Sequence, residues 1–175
     1  LRRALQRHEF EPYYQPIINL SDGSLVGYEA LMRWHHPSRG LCAPGDFIAI
    51  AEETGSLEQM DWQVYELVCR DIRRLSSGKA YTCLNVAPRH LRAPGFCERI
   101  LELMGRNGVK PGQLRLEVTE GALLEQPEVV QACLGRLRDA GVATLLDDFG
   151  TGYSSLSYLH RFPLHGLKVD RSFVA

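Results

Sequence analysis

The sequence predicts an α/β domain built on a largely parallel sheet, and three observations carry that prediction. Stretches with the period-two pattern of strands alternate with helical stretches from one end to the other. The 175 residues and 45% hydrophobic content suit about one globular domain with a sizeable core. Charged residues interrupt several strands on one face only, which calls for an architecture with an inside and an outside.

Each element has its own local reason. "LRRALQRHEF" has helical spacing, and its first residue, Leu1 rather than Met, marks the chain as a piece of a longer one. "YYQPIINL" (13–20) and "LVGYEALMRW" (25–34) are strand-like and joined by the turn signal "SDGS", so they form an antiparallel hairpin. Helices follow over 44–55 and Leu57–Leu75, the second opened by Ser56 with Gln59 three residues on, a capping-box arrangement. Next come a strand at Tyr81–Val86, a helix over Phe96–Arg106 closed by Asn107-Gly108, and a strand at Leu114–Thr119. Pro127–Ala140 is a helix ended by Gly141, and Val142–Asp147 is a strand. Tyr153–Arg161 is a short helix and Gly166–Val169 a strand, after which Asp170 is placed as the N-cap of another helix. No repeat, low-complexity tract or linker breaks the pattern. The count is six strands. A closed (β/α)8 barrel takes eight strands and typically about 250 residues, so a barrel here is cut short by roughly a quarter. A doubly wound open sheet competes with it.

Charge and cysteine content exclude several function classes. Twenty basic against twenty-one acidic residues give a net charge of -1, too little field to hold a nucleic-acid polymer or an anionic membrane. Phosphate recognition, if present, is local. Cys42, Cys69, Cys83, Cys97 and Cys133 lack C-x-x-C spacing, so they read as reduced, packed thiols of a cytoplasmic protein. Apolar runs such as "FIAIA" and "VATLL" are too short to span a bilayer. The expectation is a soluble cytoplasmic domain, with any membrane anchor elsewhere in a longer protein.

The polar residues inside the strands point to chemistry. In "LRLEVT", Leu114, Leu116 and Val118 share one face and Arg115, Glu117 and Thr119 the other. Leu84 and Val86 oppose Cys83 and Asn85, Leu146 opposes Asp147, and Leu167 and Val169 oppose Lys168. In "YEALMRW", Glu29, Leu31 and Arg33 oppose Tyr28, Ala30, Met32 and Trp34. In a barrel the apolar set packs on the outer helices and the polar set points inward. Glu29, Asn85, Glu117, Asp147 and Lys168 also fall near the downstream ends of their strands, where active sites of barrels lie. Converging carboxylates need cations, because a buried one costs several kcal/mol.

The donors are carboxylates and an amide oxygen, without a cysteine cluster or spaced histidines, which favours Mg²⁺ or Mn²⁺ over zinc. Asp147 and Asp148 converge on a two-metal site only if the strand ends there, with Gly150 and Gly152 supplying the freedom to turn. Two ions sharing Asp147 would serve an in-line displacement at phosphorus. Lys168 would hold the nucleophile or neutralise charge, and Arg33 is suited to clamp a phosphate oxygen.

Taken singly, each residue has a plain structural reading. Asp148 caps a helix, Glu117 pairs with Arg115 or Arg138 at the surface, and Asn85 is a turn residue before Pro88. Joint placement on one face and at one end outweighs those readings. His35, His36, His160 and His165 read as solvent-facing loop residues. "DDFGTG" lacks the lysine of a P-loop, and the "DFG" triplet has no kinase context. Ser154 and Ser155 have no base fixed by sequence.

"YEALMRW", "LNVAP" (84–88), "LEVTE" (116–120), "DDFGTGYSSLSYL" (147–159) and "LKVDRSF" (167–173) resemble, in order and spacing, the motifs of the EAL-domain cyclic di-GMP phosphodiesterases. The resemblance runs from about Phe10 to Ala175. It implies a TIM-like (β/α)8 barrel with an antiparallel first strand, truncated here after about six strands, so that residues 1–175 form an EAL domain whose C-terminal part is missing. It implies hydrolysis of cyclic di-GMP to linear pGpG with Mg²⁺ or Mn²⁺ at a two-metal site, and an inhibited form with Ca²⁺. Glu29, Asn85, Glu117 and Asp147 resemble ligands of one metal, and Asp147 with Asp148 those of the second. Lys168 resembles the lysine that orients the catalytic water. Glu120 resembles the glutamate that steadies the loop from Asp148 to Ser155, on which metal binding and dimer-linked activation depend. Gln15, Leu31, Arg33 and Asp170 stand where family members contact the dinucleotide. The implied assembly is a homodimer carrying other signalling domains. Ala87 and Gly121 replace two serines common in the family, and the chain stops before two later family motifs. The alternatives are a catalytically inactive cyclic di-GMP sensor or scaffold, and a different two-metal phosphohydrolase. Retention of both the E-A-L glutamate and the paired aspartates favours the enzyme.

Overall fold

A computed structural model describes residues 1–75, 80–150 and 156–173. The chain divides into two compact units, Leu1–Thr82 and Cys83–Ala175.

The first unit opens with α1 (Arg2–Gln6), followed by β1 (Phe10–Ile18), β2 (Leu25–His36) and β3 (Gly40–Cys42). A 3-10 turn at Pro44–Asp46, α2 (Ile48–Glu53), α3 (Leu57–Leu75) and the start of β4 (Tyr81–Asn85) complete it. The predicted hairpin is present: β1 and β2 are antiparallel, with Gln15 opposite Glu29, Tyr13 opposite Leu31 and Glu11 opposite Arg33. Its turn works as the sequence implies. Asn19 Oδ1 accepts from the Ser21 N–H, Asp22 Oδ1 accepts from the Ser24 N–H, and Gly23 takes φ 70°, a conformation that glycine adopts without strain.

Directly opposed residues share a face. Phe10, Pro12 and Tyr14 therefore lie with Trp34, Met32 and Ala30, and this is the packed side. Phe10 and Phe47 are buried, and ring centroids lie 5.5 Å apart for Phe10 and Trp34 and 5.7 Å for Phe10 and Phe47. α3 buries Leu57, Met60, Val64, Val68 and Ile72, the stripe expected of a core-facing helix. It is tied to β1 where the Tyr14 hydroxyl donates to Asp71 Oδ2 at 2.8 Å.

The second unit contains the end of β4 and α4 (Pro88–Arg92), α5 (Phe96–Asn107), β5 (Leu114–Thr119) and α6 (Glu120–Leu124). It continues with α7 (Pro127–Asp139), β6 (Ala143–Phe149), α8 (Leu156–Leu159), β7 (Gly166–Val169) and a 3-10 turn at Arg171–Phe173. β5, β6 and β7 are parallel neighbours in that order, and the Val86 N–H just past β4 donates to the Glu117 carbonyl. Leu114, Leu116, Val118 and Leu146 are buried on the strands, as are Ile100, Leu103, Leu134 and Leu137 on α5 and α7, and α7 packs on β6. Gly108, at φ 65°, ends α5 as its sequence predicts.

Several expectations need correction. Strand β3 makes seven strands rather than six among the described residues; "GLC" is too short to show alternation, and it is recruited by pairing Trp34 with Cys42. Residues 44–55 are a 3-10 turn followed by a shorter helix. The five-residue helices α4 and α6 were not expected. The start of the predicted 153–161 helix lies outside the described residues, and the observed part ends at Leu159. Leu167 and Val169, expected to lie under the outer helices, are largely uncovered among the described residues. They are 47% and 56% exposed, and β7 pairs only with β6 among the described residues.

Candidate metal centre

The second unit carries most of the predicted ligands. Glu117 is the fourth residue of β5, Asp147 the fifth of β6, Lys168 the third of β7, and Asn85 the last of β4. In the parallel register Glu117 sits beside Leu145 and Thr119 beside Asp147, so the two carboxylates project from the same face one pleat apart. An oxygen of each lies within 4.8 Å of the other.

The Lys168 ammonium stands between them. It donates to Glu117 Oε2 at 2.7 Å and lies 3.2 Å from Asp147 Oδ1. Glu117 is 1% exposed, which removes the surface pairing with Arg115 or Arg138 from consideration; Arg138 pairs with Asp139. Burial, and then the negative charge and hydrogen bonding of Glu117, push the Cys83 thiol well above its ordinary value.

Asp148 departs from the prediction. β6 runs on to Phe149 instead of stopping at Asp147, and Asp148 itself takes φ 53°. The pairing of β6 with β7 is irregular between Leu146 and Phe149. Positive φ in a non-glycine residue costs of order 1–2 kcal/mol, so the turn of the backbone is made at the second aspartate and continued by Gly150 at φ 101°. Gly152 and the serine pair lie outside the described residues. Glu120 opens α6 and is buried. Asp170, expected as an N-cap, precedes the final 3-10 turn, its Oδ1 accepting from the Ser172 N–H at 2.9 Å.

The remaining predicted residues lie in the first unit. Gln15, Glu29, Leu31 and Arg33 share the hairpin face opposite the packed one. Glu29 is mid-strand and not near a strand end, because β2 extends to His36. Arg33 lies over the Tyr13 ring at 6.0 Å and donates to the Met32 carbonyl. Tyr13, which the sequence did not single out, is therefore part of this face; its place two residues before Gln15 in the alternation was the available signal. His165 is exposed, yet its Nδ1 accepts from the Thr144 N–H while its own N–H donates to the Thr144 carbonyl, a structural clamp between β6 and β7.

Parallel strands interleaved with helices, with carboxylates and a lysine on one face, define an α/β domain of the TIM-like class with an antiparallel first strand. The sequence profile of the EAL domain matches residues 1–175. The chain belongs to the EAL domain family. It is 42% identical over 177 residues to the cyclic di-GMP phosphodiesterase NbdA of Pseudomonas aeruginosa, covering 99% of this chain and 23% of that protein. It is 38% identical over 177 residues to the bifunctional diguanylate cyclase/cyclic di-GMP phosphodiesterase MucR of the same organism, covering 99% and 26%. The chain thus spans about a quarter of the length of the curated relatives it matches. Among solved structures it resembles the PaMucR phosphodiesterase in complex with c-di-GMP, at TM-score 0.91 and 36% identity, over 99% of this chain and 71% of that one. The EAL enzyme Bd1971 in its cAMP and cyclic-di-GMP bound form gives TM-score 0.90 and 32% identity, over 99% and 49%.

Proposed function

We propose that the chain is the phosphodiesterase domain that hydrolyses cyclic di-GMP to linear pGpG with Mg²⁺ or Mn²⁺. The observation that carries this reading is the buried Glu117 carboxylate facing Asp147 with Lys168 between them. The activity in the names of NbdA and MucR supports it.

The donor chemistry fits a hard divalent cation: oxygen ligands from carboxylates and an amide, and a buried anion that needs positive charge. Glu29, Asn85, Glu117 and Asp147 would hold one ion and Asp147 with Asp148 the other. Bound there, the ions supply Lewis acidity and lower the pKa of water. The protein's own residues do the rest. Lys168 orients the attacking water and balances the carboxylates. Gln15, Leu31, Arg33 and Asp170 seat the dinucleotide, with Arg33 on a phosphate oxygen, and Glu120 steadies the 148–155 loop. Ca²⁺ gives the inhibited form. The domain acts as a homodimer in the cytoplasm, within a longer chain that carries other signalling domains. No helix among the described residues is long and apolar enough to cross a membrane.

The test incubates the protein with cyclic di-GMP and Mg²⁺ or Mn²⁺ and follows pGpG by chromatography. Product forms in the wild type, and Glu29→Ala abolishes nearly all of it. Saturable binding with no product under either metal would instead make the domain a sensor.

A further inference from the structure

We propose that Cys97 and Cys133 form a peroxide-responsive dithiol that closes a disulfide between α5 and α7. The inference does not depend on the phosphodiesterase reading. The two residues are 36 positions apart in the chain, yet their sulfurs lie 2.9 Å from each other. The Cys97 thiol also donates to the Cys133 carbonyl oxygen at 3.2 Å. The sulfur–sulfur approach is the contact of two hydrogen-bonded thiols, from which a small side-chain movement brings the sulfurs to the roughly 2.05 Å of a bond. Of the other cysteines, Cys42 gives its thiol to the Gly40 carbonyl and Cys83 engages Glu117.

The surroundings assign the two sulfurs different parts. Cys97 is the second residue of α5, in the first turn of a twelve-residue helix where the N-terminal field favours a thiolate. Arg136, one turn beyond Cys133 on α7, pairs with Glu98 next to Cys97. The hydrogen bond with Cys133, helped by the charge of Arg136, draws the Cys97 thiol below its ordinary value against the effect of burial. The same hydrogen bond and burial push the Cys133 thiol up. Cys97, at the helix N-terminus and beside Arg136, is therefore the thiol that gives up its proton first and becomes the nucleophile, while Cys133 keeps its own.

The Cys97 thiolate attacks one oxygen of a hydroperoxide. The O–O bond breaks, the Cys97 sulfenic acid forms, and the departing hydroxide takes a proton to become water. Cys133 sulfur then attacks Cys97 sulfur as its own proton leaves, and the S–O bond breaks to release a second water. With hydrogen peroxide the balance is two thiols and one peroxide giving one disulfide and two waters. The cross-link brackets the segment that carries β5, and with it Glu117.

The protein is reduced, freed of reductant, treated with hydrogen peroxide and then catalase, and alkylated under denaturing conditions. Three alkylations in place of five are expected, with one linked peptide pair containing residues 97 and 133 and reversal by dithiothreitol. In Cys133→Ser, dimedone is expected to trap a sulfenic acid on Cys97, and the rise in Tm expected on oxidising the wild type should be absent. Five alkylations retained after peroxide, linkages scattered over the five cysteines, or dimedone on Cys133 in Cys97→Ser with none on Cys97 in Cys133→Ser would each overturn the proposal. The wild-type peptide map decides the pairing even where a variant does not fold.

Discussion

Lys168 is the residue on which the acidic face of the second unit turns. Glu117 has a fully buried side chain while Lys168 keeps 30% of its own exposed, so the pair is less costly to hold than a wholly buried one and less screened than a surface one. Removing the ammonium takes away charge that the buried carboxylate relies on. Lys168→Ala should lower unfolding free energy by about 2–3 kcal/mol, read from urea unfolding at unchanged m-value. Adding Glu117→Gln should recover part of that loss, because the two effects share one interaction. Additivity would show that the pair contributes nothing. Tyr14 offers an independent measurement in the first unit. Burial, then its hydrogen bond to Asp71, pushes its hydroxyl far above the ordinary 10.0. Tyr14→Phe should cost about 1 kcal/mol at neutral pH. Above pH 10 the unfolded chain releases the tyrosine proton while the folded chain keeps it, so the wild type's advantage is present below pH 10 and shrinks as pH rises beyond it. A pH-independent gap between the two proteins would contradict this.

Elements were legible where a period or a stop signal was strong. α3 and β7 begin and end at the predicted residues, and β5 matches exactly from Leu114 to Thr119, because apolar periodicity and turn residues agree there. The shared face of Gln15, Glu29, Leu31 and Arg33 follows from alternation alone once the hairpin is recognised. What escaped was set by tertiary context. Three-residue β3 has no period to read, α4 and α6 are single turns secured by packing, and the positive φ of Asp148 belongs to a bulge created by pairing with β7. The contact of Cys97 with Cys133 joins helices separated by a whole strand and has no local signature. Element boundaries also give a backbone prediction. Gly141, which ends the turn after α7, takes φ 81°, and a Cβ there would lie 2.6 Å from Pro111 Cβ. Gly141→Ala combines left-handed strain with that clash and should cost about 2–4 kcal/mol, a fall in Tm of roughly 4–16 °C for a chain of this size. An unchanged Tm would mean that the turn relaxes freely.

On the scale of the whole molecule, the nearly balanced charge decides how an anionic ligand is found. With twenty basic and twenty-one acidic residues, the protein has no long-range field to raise the encounter rate with a dinucleotide. Discrimination must then come from short-range contacts, which under the proposed function are those of Arg33 with a phosphate oxygen and of cations held by the carboxylates. Short contacts in a partly desolvated site are screened weakly, whereas a polymer binder that neutralises six to ten phosphates loses about 10³–10⁵ in affinity between 50 and 200 mM salt. A ligand with two phosphodiester groups, held locally, should lose far less. Calorimetric titration of cyclic di-GMP in Ca²⁺, the proposed inhibited form, should therefore show its Kd rising by less than about tenfold over that salt range. Arg33→Ala should weaken binding at every salt concentration and flatten the salt dependence further, since it removes a cation on the ligand. A steep loss of affinity with salt in the wild type, unchanged in Arg33→Ala, would place recognition on a diffuse basic surface and not on the hairpin face that carries Glu29.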